Sequence, residues 1–390
     1  MEPLSFEDTQ VAFSAKSDSE LKRSYRLFQL FSFNELVKVG SWATNLAMRL
    51  QLPISPLVKY TIFHQFCGGE TLKDTETTVE QLARSGINSI LDYGVEAKNN
   101  ERDFDNALQH HLKTLQYAKT HPHITIISAK ITGLGRFAML EKAHAKEKLT
   151  AVEKEEFERI RQRLHQLCQA ASISGTSIFF DAEETWIQQP LDDLIEEMMQ
   201  QHNHGKTVVY NTFQLYRNDG LTLLKNAHQR AVQAGYTLGV KLVRGAYMEK
   251  ERARALKTGY SSPIHENKAA VDEDYNMAID FCLTHLEHIT FCCASHNEES
   301  CLHLAQQIDA KGIARNHSHI TFSQLYGMGD HITYNLAQAG FNSSKYIPYG
   351  PVKEVIPYLL RRAQENSSVA GQVGRELGLL QKEMKRRGLI

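Results

Sequence analysis

The chain has 390 residues, enough for one large domain or two ordinary ones, with 42% hydrophobic and 23% charged residues, a globular composition. Forty-four basic against 45 acidic side chains give a formal charge of −1, without the basic excess that nucleic-acid binding normally shows. There is no run of 18 or more apolar residues, so a hydrophobic membrane-spanning helix is excluded as well.

The acidic start, MEPLSFEDTQVAFS, resembles neither a secretory leader nor an Arg-rich transit peptide. A cytoplasmic location is expected, with at most peripheral contact to the inner membrane; a mitochondrial one would require a missing presequence. Residues from about 20 to 66 then read as helical, with Leu27, Phe28, Leu30, Phe31, Phe33, Leu36, Val37, Trp42, Leu46 and Leu50 at three- and four-residue steps. Pro53, Pro56 and the Gly68-Gly69 pair interrupt the pattern. Residues 1–75 are therefore expected to form a helical arm ahead of a main domain spanning 76–390.

Eight short β-rich runs follow: Asn88–Tyr93, Ile124–Lys130, Ser177–Asp181, Thr207–Phe213, Val240–Arg244, Ile289–Ser295, Ile320–Leu325 and Lys345–Tyr349. Amphipathic stretches separate them: Phe104–Lys119, Glu153–Ala171, Leu191–His202, Gly220–Ala234, Asp272–His285 and Glu298–Ala310. Eight such alternations predict an α/β fold, a (β/α)8 barrel of the TIM type, more than a six-stranded doubly wound sheet. Periodicity alone keeps the doubly wound sheet open. In a barrel the chemistry sits at the carboxyl ends of the strands. Here those ends are polar or aromatic: Lys130, Asp181, Asn211 with Gln214, Arg244 with Tyr247, Ser295-His296-Asn297, Gln324 with Tyr326, and Tyr346 with Tyr349.

Further on, Tyr358-Leu-Leu-Arg361-Arg362-Ala-Gln-Glu365 places a tyrosine, two arginines and a glutamate at helical spacing on one face. Two adjacent guanidiniums form a forked socket for a carboxylate; a solvated basic patch is the plain alternative. Asp181 reads equally as a ligand-facing carboxylate or a helix N-cap, and Lys130 as a cation at the barrel mouth or a snorkelling lysine. Gly327-Met-Gly329 could offer backbone N–H groups to a phosphate. The basic end, Leu379 to Arg387, reads as a solvated helix terminus, with contact to an anionic bilayer as the alternative.

Six cysteines without a C-x-x-C pair are expected to be reduced and buried. Of 18 histidines, His202-x-His204 and His317-x-His319 have zinc-compatible spacing but no supporting carboxylates, so no metal is expected. No P-loop or G-x-G-x-x-G fingerprint is present. The residues alone thus reach a barrel enzyme with an anion-binding late helix.

Eight segments, taken in order, resemble the proline dehydrogenase family: Lys130–Arg136 (KITGLGR), Phe180–Glu184 (FDAEE), Asn211–Gln214 (NTFQ), Lys241–Tyr247 (KLVRGAY), Ala294–Asn297 (ASHN), Gln324–Asp330 (QLYGMGD), Tyr346–Gly350 (YIPYG) and Tyr358–Asn366 (YLLRRAQEN). The wording of KLVRGAYMEKERA is closer to the monofunctional, eukaryote-like branch. The resemblance implies a distorted barrel that uses FAD to oxidise L-proline to Δ1-pyrroline-5-carboxylate and passes electrons to a membrane quinone. It implies that Lys130, Arg361 and Arg362 bind the substrate carboxylate. Leu325, Tyr346 and Tyr358 would shape the ring pocket, and Asp181 would support the active-site hydrogen bonds. Lys241 would stand near flavin N5, with Asn211 and Gln214 against the isoalloxazine. Arg244, Gly245, Ala246, Tyr247, Ser295, His296, Asn297, Gln324 and Glu365 would line the cofactor. The resemblance also implies a preference for proline over hydroxyproline, because Tyr346 is kept where hydroxyproline-preferring relatives carry a smaller residue. Two alternative readings are a hydroxyproline dehydrogenase and a non-redox barrel protein that binds a small carboxylate.

Overall fold

A computed structural model describes residues 4–50, 52–94, 100–368 and 372–390. Its eight strands are β1 (Ile87–Tyr93), β2 (Ile124–Ala129), β3 (Ser177–Phe180), β4 (Val209–Gln214), β5 (Leu238–Val243), β6 (Ile289–Ala294), β7 (Ile320–Leu325) and β8 (Ser343–Tyr349). They close into a barrel in sequential order. The chain also partitions into two compact units, residues 97–323 and residues 1–96 with 324–390.

In the first unit, parallel strands from β2 to β6 alternate with helices, as short apolar runs enclosed on both faces require. Helix Ala151–Ser174 shows how the boundaries are set. Thr150 and Glu153 form a reciprocal capping box at its start, and Gly175, in the left-handed conformation, ends it. Gly239 is the tight spot in β5. A Cβ there would lie 2.1 Å from the Val209 carbonyl oxygen, so a side chain would push β5 away from β4.

In the second unit, β1 pairs with β8 from Ile87↔Ser343 to Tyr93↔Tyr349. The stretch read as helical carries Asp18–Phe31, Asn34–Arg49, a π-helical turn at Lys59–Phe63 and short flanking turns, and it falls in the same unit as residues 324–390. It shares one core with the C-terminal helices Val352–Ser368 and Gln372–Arg386. Leu21, Phe28, Phe63 and Phe66 are buried in the same cluster as Leu359, Leu379, Leu380 and Met384. Gln65 fastens the junction. It accepts from the Ser24 hydroxyl at 2.9 Å and donates to the Gly327 carbonyl at 2.6 Å. Gly327 itself, at φ +82°, has no room for a Cβ, which would meet the Gln65 carbonyl at 1.8 Å. The apolar face of the basic C-terminal helix is therefore spent on this core, and Arg386 and Arg387 turn back onto Glu383. That leaves the bilayer alternative for this end without an apolar face.

All six cysteines are free and buried. Among the described residues no group of three or more His, Cys, Asp or Glu could hold a metal, and no helix is long and apolar enough to cross a membrane.

Candidate active site

Strand parity decides which side chains can meet at the barrel mouth. Register pairs Phe179 with Tyr210, Thr212 with Lys241 and Lys241 with Cys292, so these side chains share one face. The Phe179 and Tyr210 rings touch edge to face at 5.1 Å, and the Lys241 ammonium lies 5.4 Å from the Phe179 ring centroid. One residue past β3, Asp181 follows the same parity, and its Oδ1 accepts from Lys241 Nζ at 2.6 Å. Lys241 is buried, so the pair is a shielded ion pair rather than a surface one. The backbone seats it: Asp181 N–H donates to the Ala129 carbonyl at 3.0 Å, and the Thr212 hydroxyl donates to the Phe180 carbonyl at 2.7 Å.

Lys130 lies one residue past β2 and is half-buried. Its charge acts on Glu183, the middle acid of the FDAEE segment. Burial pushes the Glu183 carboxyl up, while Lys130 and hydrogen bonds from the Thr132 N–H and hydroxyl pull it down. Those two bonds measure 3.2 and 2.7 Å. The only sequence signal was a second acid two residues after Asp181, which reads as a solvated turn until its burial is known.

Asn211 and Gln214 separate. Asn211 pairs with Val240, on the opposite face from Lys241. Its Nδ2 donates to Asp192 Oδ1 at 2.9 Å, on helix Thr185–His202, and its Oδ1 accepts from the Thr212 N–H. The amide expected against the isoalloxazine is thus committed to the helix layer. Gln214 lies two residues beyond Thr212, on the Lys241 face, and donates to the Glu183 carbonyl at 2.8 Å. Asp192, also missed, has its carboxyl raised to about 6, with burial the main cause, even though Asn211 and Gln188 hydrogen-bond to it.

Arg244, just past β5, works as a strut. It donates to Asp272 at 2.8 Å, to Ser295 Oγ at 2.6 Å and to Ser300 Oγ at 2.9 Å, and its guanidinium carbon lies 4.4 Å from the Tyr275 ring centroid. This brings Arg244 and Ser295 together. After it, Gly245 (φ +135°) lies against the Tyr216 ring, where a Cβ would be 2.4 Å away. Gly245 and Ala246 are exposed, and Tyr247 is half-buried. His296 and Asn297 are half-buried, and Asn297 caps helix Glu298–Ala310 through the Ser300 N–H.

The residues 1–96 with 324–390 carry the other expected set. Helix Val352–Ser368 holds Tyr358, nearly buried, with half-buried Arg361 and Arg362. The Arg362 guanidinium sits 5.4 Å from the Tyr358 ring centroid, so these two side chains share a face. This position argues against a freely solvated patch. Glu365 is on this helix, its side chain outside the described residues. Tyr346 is buried in β8, and its carbonyl accepts from the Tyr326 N–H at 2.8 Å. Leu325, half-buried, ends β7. Gln324 is buried and accepts from the Thr333 hydroxyl at 2.7 Å. The Gly327-Met-Gly329 turn does bind an anion, but an internal one, because the Gly329 N–H donates to Glu376 Oε1 at 2.5 Å. Behind it Asp330 bridges Lys345 at 2.8 Å and Lys16 at 3.2 Å. Despite burial, these two cations hold the Asp330 carboxyl well below the usual range.

The strand ends of the 97–323 unit offer a buried cation, a neutral amide, hydroxyls and an exposed backbone stretch at Gly245-Ala246. That donor set suits a planar heteroaromatic group attached to an anionic phosphate chain.

Comparison with known proteins gives a consistent picture. The sequence model of the family described as proline dehydrogenase matches residues 75–375. A carbapenem antibiotics biosynthesis protein, CarD, from Pectobacterium carotovorum is 37% identical over 322 residues, covering 83% of each chain. Proline dehydrogenase 1 of Dictyostelium discoideum is 30% identical, covering 97% of this chain and 74% of that one. Hydroxyproline dehydrogenase of Xenopus laevis is 32% identical, covering 98% and 90%. Among solved structures, proline utilization A from Bdellovibrio bacteriovorus, inactivated by N-propargylglycine, superposes with a TM-score of 0.72 at 19% identity. That match covers 92% of this chain and 38% of the larger one, and it supports the barrel fold alone.

Proposed function

From the premise that this chain belongs to the proline dehydrogenase family, we propose that it oxidises L-proline to Δ1-pyrroline-5-carboxylate with FAD as its cofactor. The reaction removes a hydride from a ring carbon and a proton from the ring nitrogen, leaving a C=N bond. FAD, when bound, supplies the two-electron acceptor for that hydride. The chain's own residues position and shield. Lys241, fixed by Asp181, supplies positive charge where the acceptor gains electron density. Gln214, the Gly245-Ala246 backbone, Tyr247, Ser295, His296 and Asn297 are the residues we assign to holding the cofactor. Asn211 supports that wall from the helix side, Arg244 braces it, and Gln324 and Glu365 are assigned to the cofactor as well.

We assign Arg361, Arg362 and Lys130 to the substrate carboxylate, where forked guanidiniums give geometric as well as electrostatic selection. Leu325, Tyr346 and Tyr358 are assigned to the pyrrolidine ring. The amine must be neutral before the hydride leaves, so positioning supplies most of the rate advantage. Electrons are proposed to leave to a membrane quinone from a cytoplasmic protein at the inner membrane. The observation that carries the redox reading is the shielded Lys241–Asp181 pair on the inner face of the strand ends. It is tested directly: purified protein should be yellow, and anaerobic L-proline should bleach the flavin band. Colourless protein that FAD cannot reconstitute would overturn the reading.

Hydroxyproline as substrate is a second reading, favoured by the Xenopus relative. Tyr346, which we assign to the pyrrolidine pocket, supports proline instead. Relative rates on the two imino acids decide it. Family membership displaces the reading of a non-redox carboxylate-binding barrel.

A further inference from the structure

Helix Asn34–Arg49 has two apolar faces, and the fold uses one. Val37 and Ser41 are buried, Met48 packs against the core cluster, and the helix lies on Asp18–Phe31 and Val352–Ser368. The other face carries Leu36, Val39, Ala43, Leu46 and Leu50 at three- and four-residue steps, all exposed, with Trp42 beside them at 65% exposure. At about 1.5 Å per residue this stripe is roughly 21 Å long. Exposed Leu30 and Phe33 precede it, and Leu52 and Tyr60, the latter 82% exposed, follow it. Isolated surface leucines need no explanation, but an apolar stripe this long on a helix signals a binding face.

The charges around the face identify the occupant. Between Lys22 and Tyr60 lie six basic residues (Lys22, Arg23, Arg26, Lys38, Arg49, Lys59) and one acidic residue, Glu35, in a chain whose net charge is −1. Lys38 pairs with Glu35 and Lys59 with Glu70. Arg23, Arg26 and Leu30 recur at three- and four-residue steps on the exposed side of the preceding helix. A two-fold contact between copies would set this basic surface against itself, which like-charge repulsion opposes. An apolar stripe flanked by basic side chains, with Trp42 and Tyr60 at its margin, is instead complementary to an anionic lipid surface.

We propose that the exposed face of Asn34–Arg49, with Leu30, Phe33, Leu52 and Tyr60, docks the protein onto an anionic bilayer. The helix lies in the interface without crossing it. This deepens the proposed membrane acceptor, so binding is measured with no quinone present and the two can fail separately.

The chain has two tryptophans, Trp42 and Trp186. In a Trp186→Phe holoenzyme, Trp42 is the sole reporter. Vesicles of equal parts phosphatidylcholine and phosphatidylglycerol should shift its emission to the blue, brominated acyl chains should quench it, and the protein should sediment with the vesicles. Val39→Glu with Leu46→Glu should weaken partitioning by more than about tenfold. Arg26→Gln and Arg49→Gln should each weaken it about fivefold, on anionic vesicles only. Dye-coupled proline oxidation and far-ultraviolet circular dichroism should stay unchanged throughout. Trp42 emission that ignores anionic vesicles would overturn the proposal, whatever the flavin assay shows. So would a dimer in sedimentation velocity that the Val39→Glu/Leu46→Glu pair converts to monomer, since a second copy would then cover the face. Because the arginine variants and the tryptophan reporter leave the apolar stripe intact, a folding defect in the glutamate pair cannot rescue a negative result.

Discussion

Lys241 and Asp181, 60 positions apart in sequence, meet through a 2.6 Å hydrogen-bonded ion pair anchored on β5 and just past β3. Each charge is shielded enough that removing one strands the other. Lys241→Met or Asp181→Asn alone should therefore destabilise the fold by about 2–4 kcal/mol in urea unfolding. The double variant should lose clearly less than the sum of the two. Additive losses would show that the pair is not energetically coupled.

Arg361 and Arg362 are predicted to act on substrate rather than on cofactor. Replacing either with Met removes charge-assisted hydrogen bonds worth about 1.5–3 kcal/mol, a rise in KM for L-proline of roughly ten- to a hundredfold. The flavin content of the purified variant should be unchanged. Flavin loss at constant KM would reassign the pair.

The Tyr346→Ser substitution opens space on the buried face of β8. The ratio of kcat/KM for hydroxyproline over proline should rise by about tenfold or more, in line with what a reshaped pocket can discriminate. Steady-state rates on both substrates measure it, and an unchanged ratio would remove Tyr346 from the specificity assignment.

Asp192 has the opposite pH behaviour to a salt-bridged carboxylate. Its folded pKa, raised to about 6 chiefly by burial, lies well above the ordinary aspartate value of about 3.9. The folded state therefore holds more protons than the unfolded state between these values. The contribution is fully present below about pH 4 and is lost as pH rises through about 6. The shift corresponds to stability on the order of 1–3 kcal/mol. Asp192→Asn, which keeps an acceptor for Asn211 and Gln188, should gain that stability at pH 7 and lose the pH dependence in this window. Parallel wild-type and variant denaturation curves from pH 4 to 7 would contradict it.

Much of the fold was legible because local patterns coincide with element boundaries. Gly220–Ala234, Glu298–Ala310 and Ile320–Leu325 fall on the predicted residues. Several predicted strands ran one residue long, at Lys130, Asp181, Arg244 and Ser295, because a residue leaving the ladder still looks like its polar end. Helix Met248–Thr258 was missed because it is mostly charged and buries only Glu251 and Ala255. Within the site, a sequence identifies strand ends but not their parity. Asn211 and Gln214 look interchangeable until the Thr212↔Lys241 register assigns one to each face. Glu183 and Asp192 were invisible for a related reason, since burial turns an ordinary acid into a chemically distinct one. The helical pattern of residues 20–66 was legible, but an apolar stripe does not say which distant segment will cover it.

That cover is supplied very late in the chain. The partners of Leu21, Phe28 and Phe63 include Leu359, Leu379 and Met384, and Arg387 donates to the carbonyls of Phe13 and Lys16 at 2.8 Å. Made in order on a ribosome at roughly 5–20 residues per second, the early helices wait on the order of 15–65 s for the segment that encloses them. During that interval their inward apolar face is open to solvent along with the outward one. Synthesis rate and chaperone supply therefore bear on the yield of this protein. Variants that shorten the last helix should appear first as aggregated nascent product.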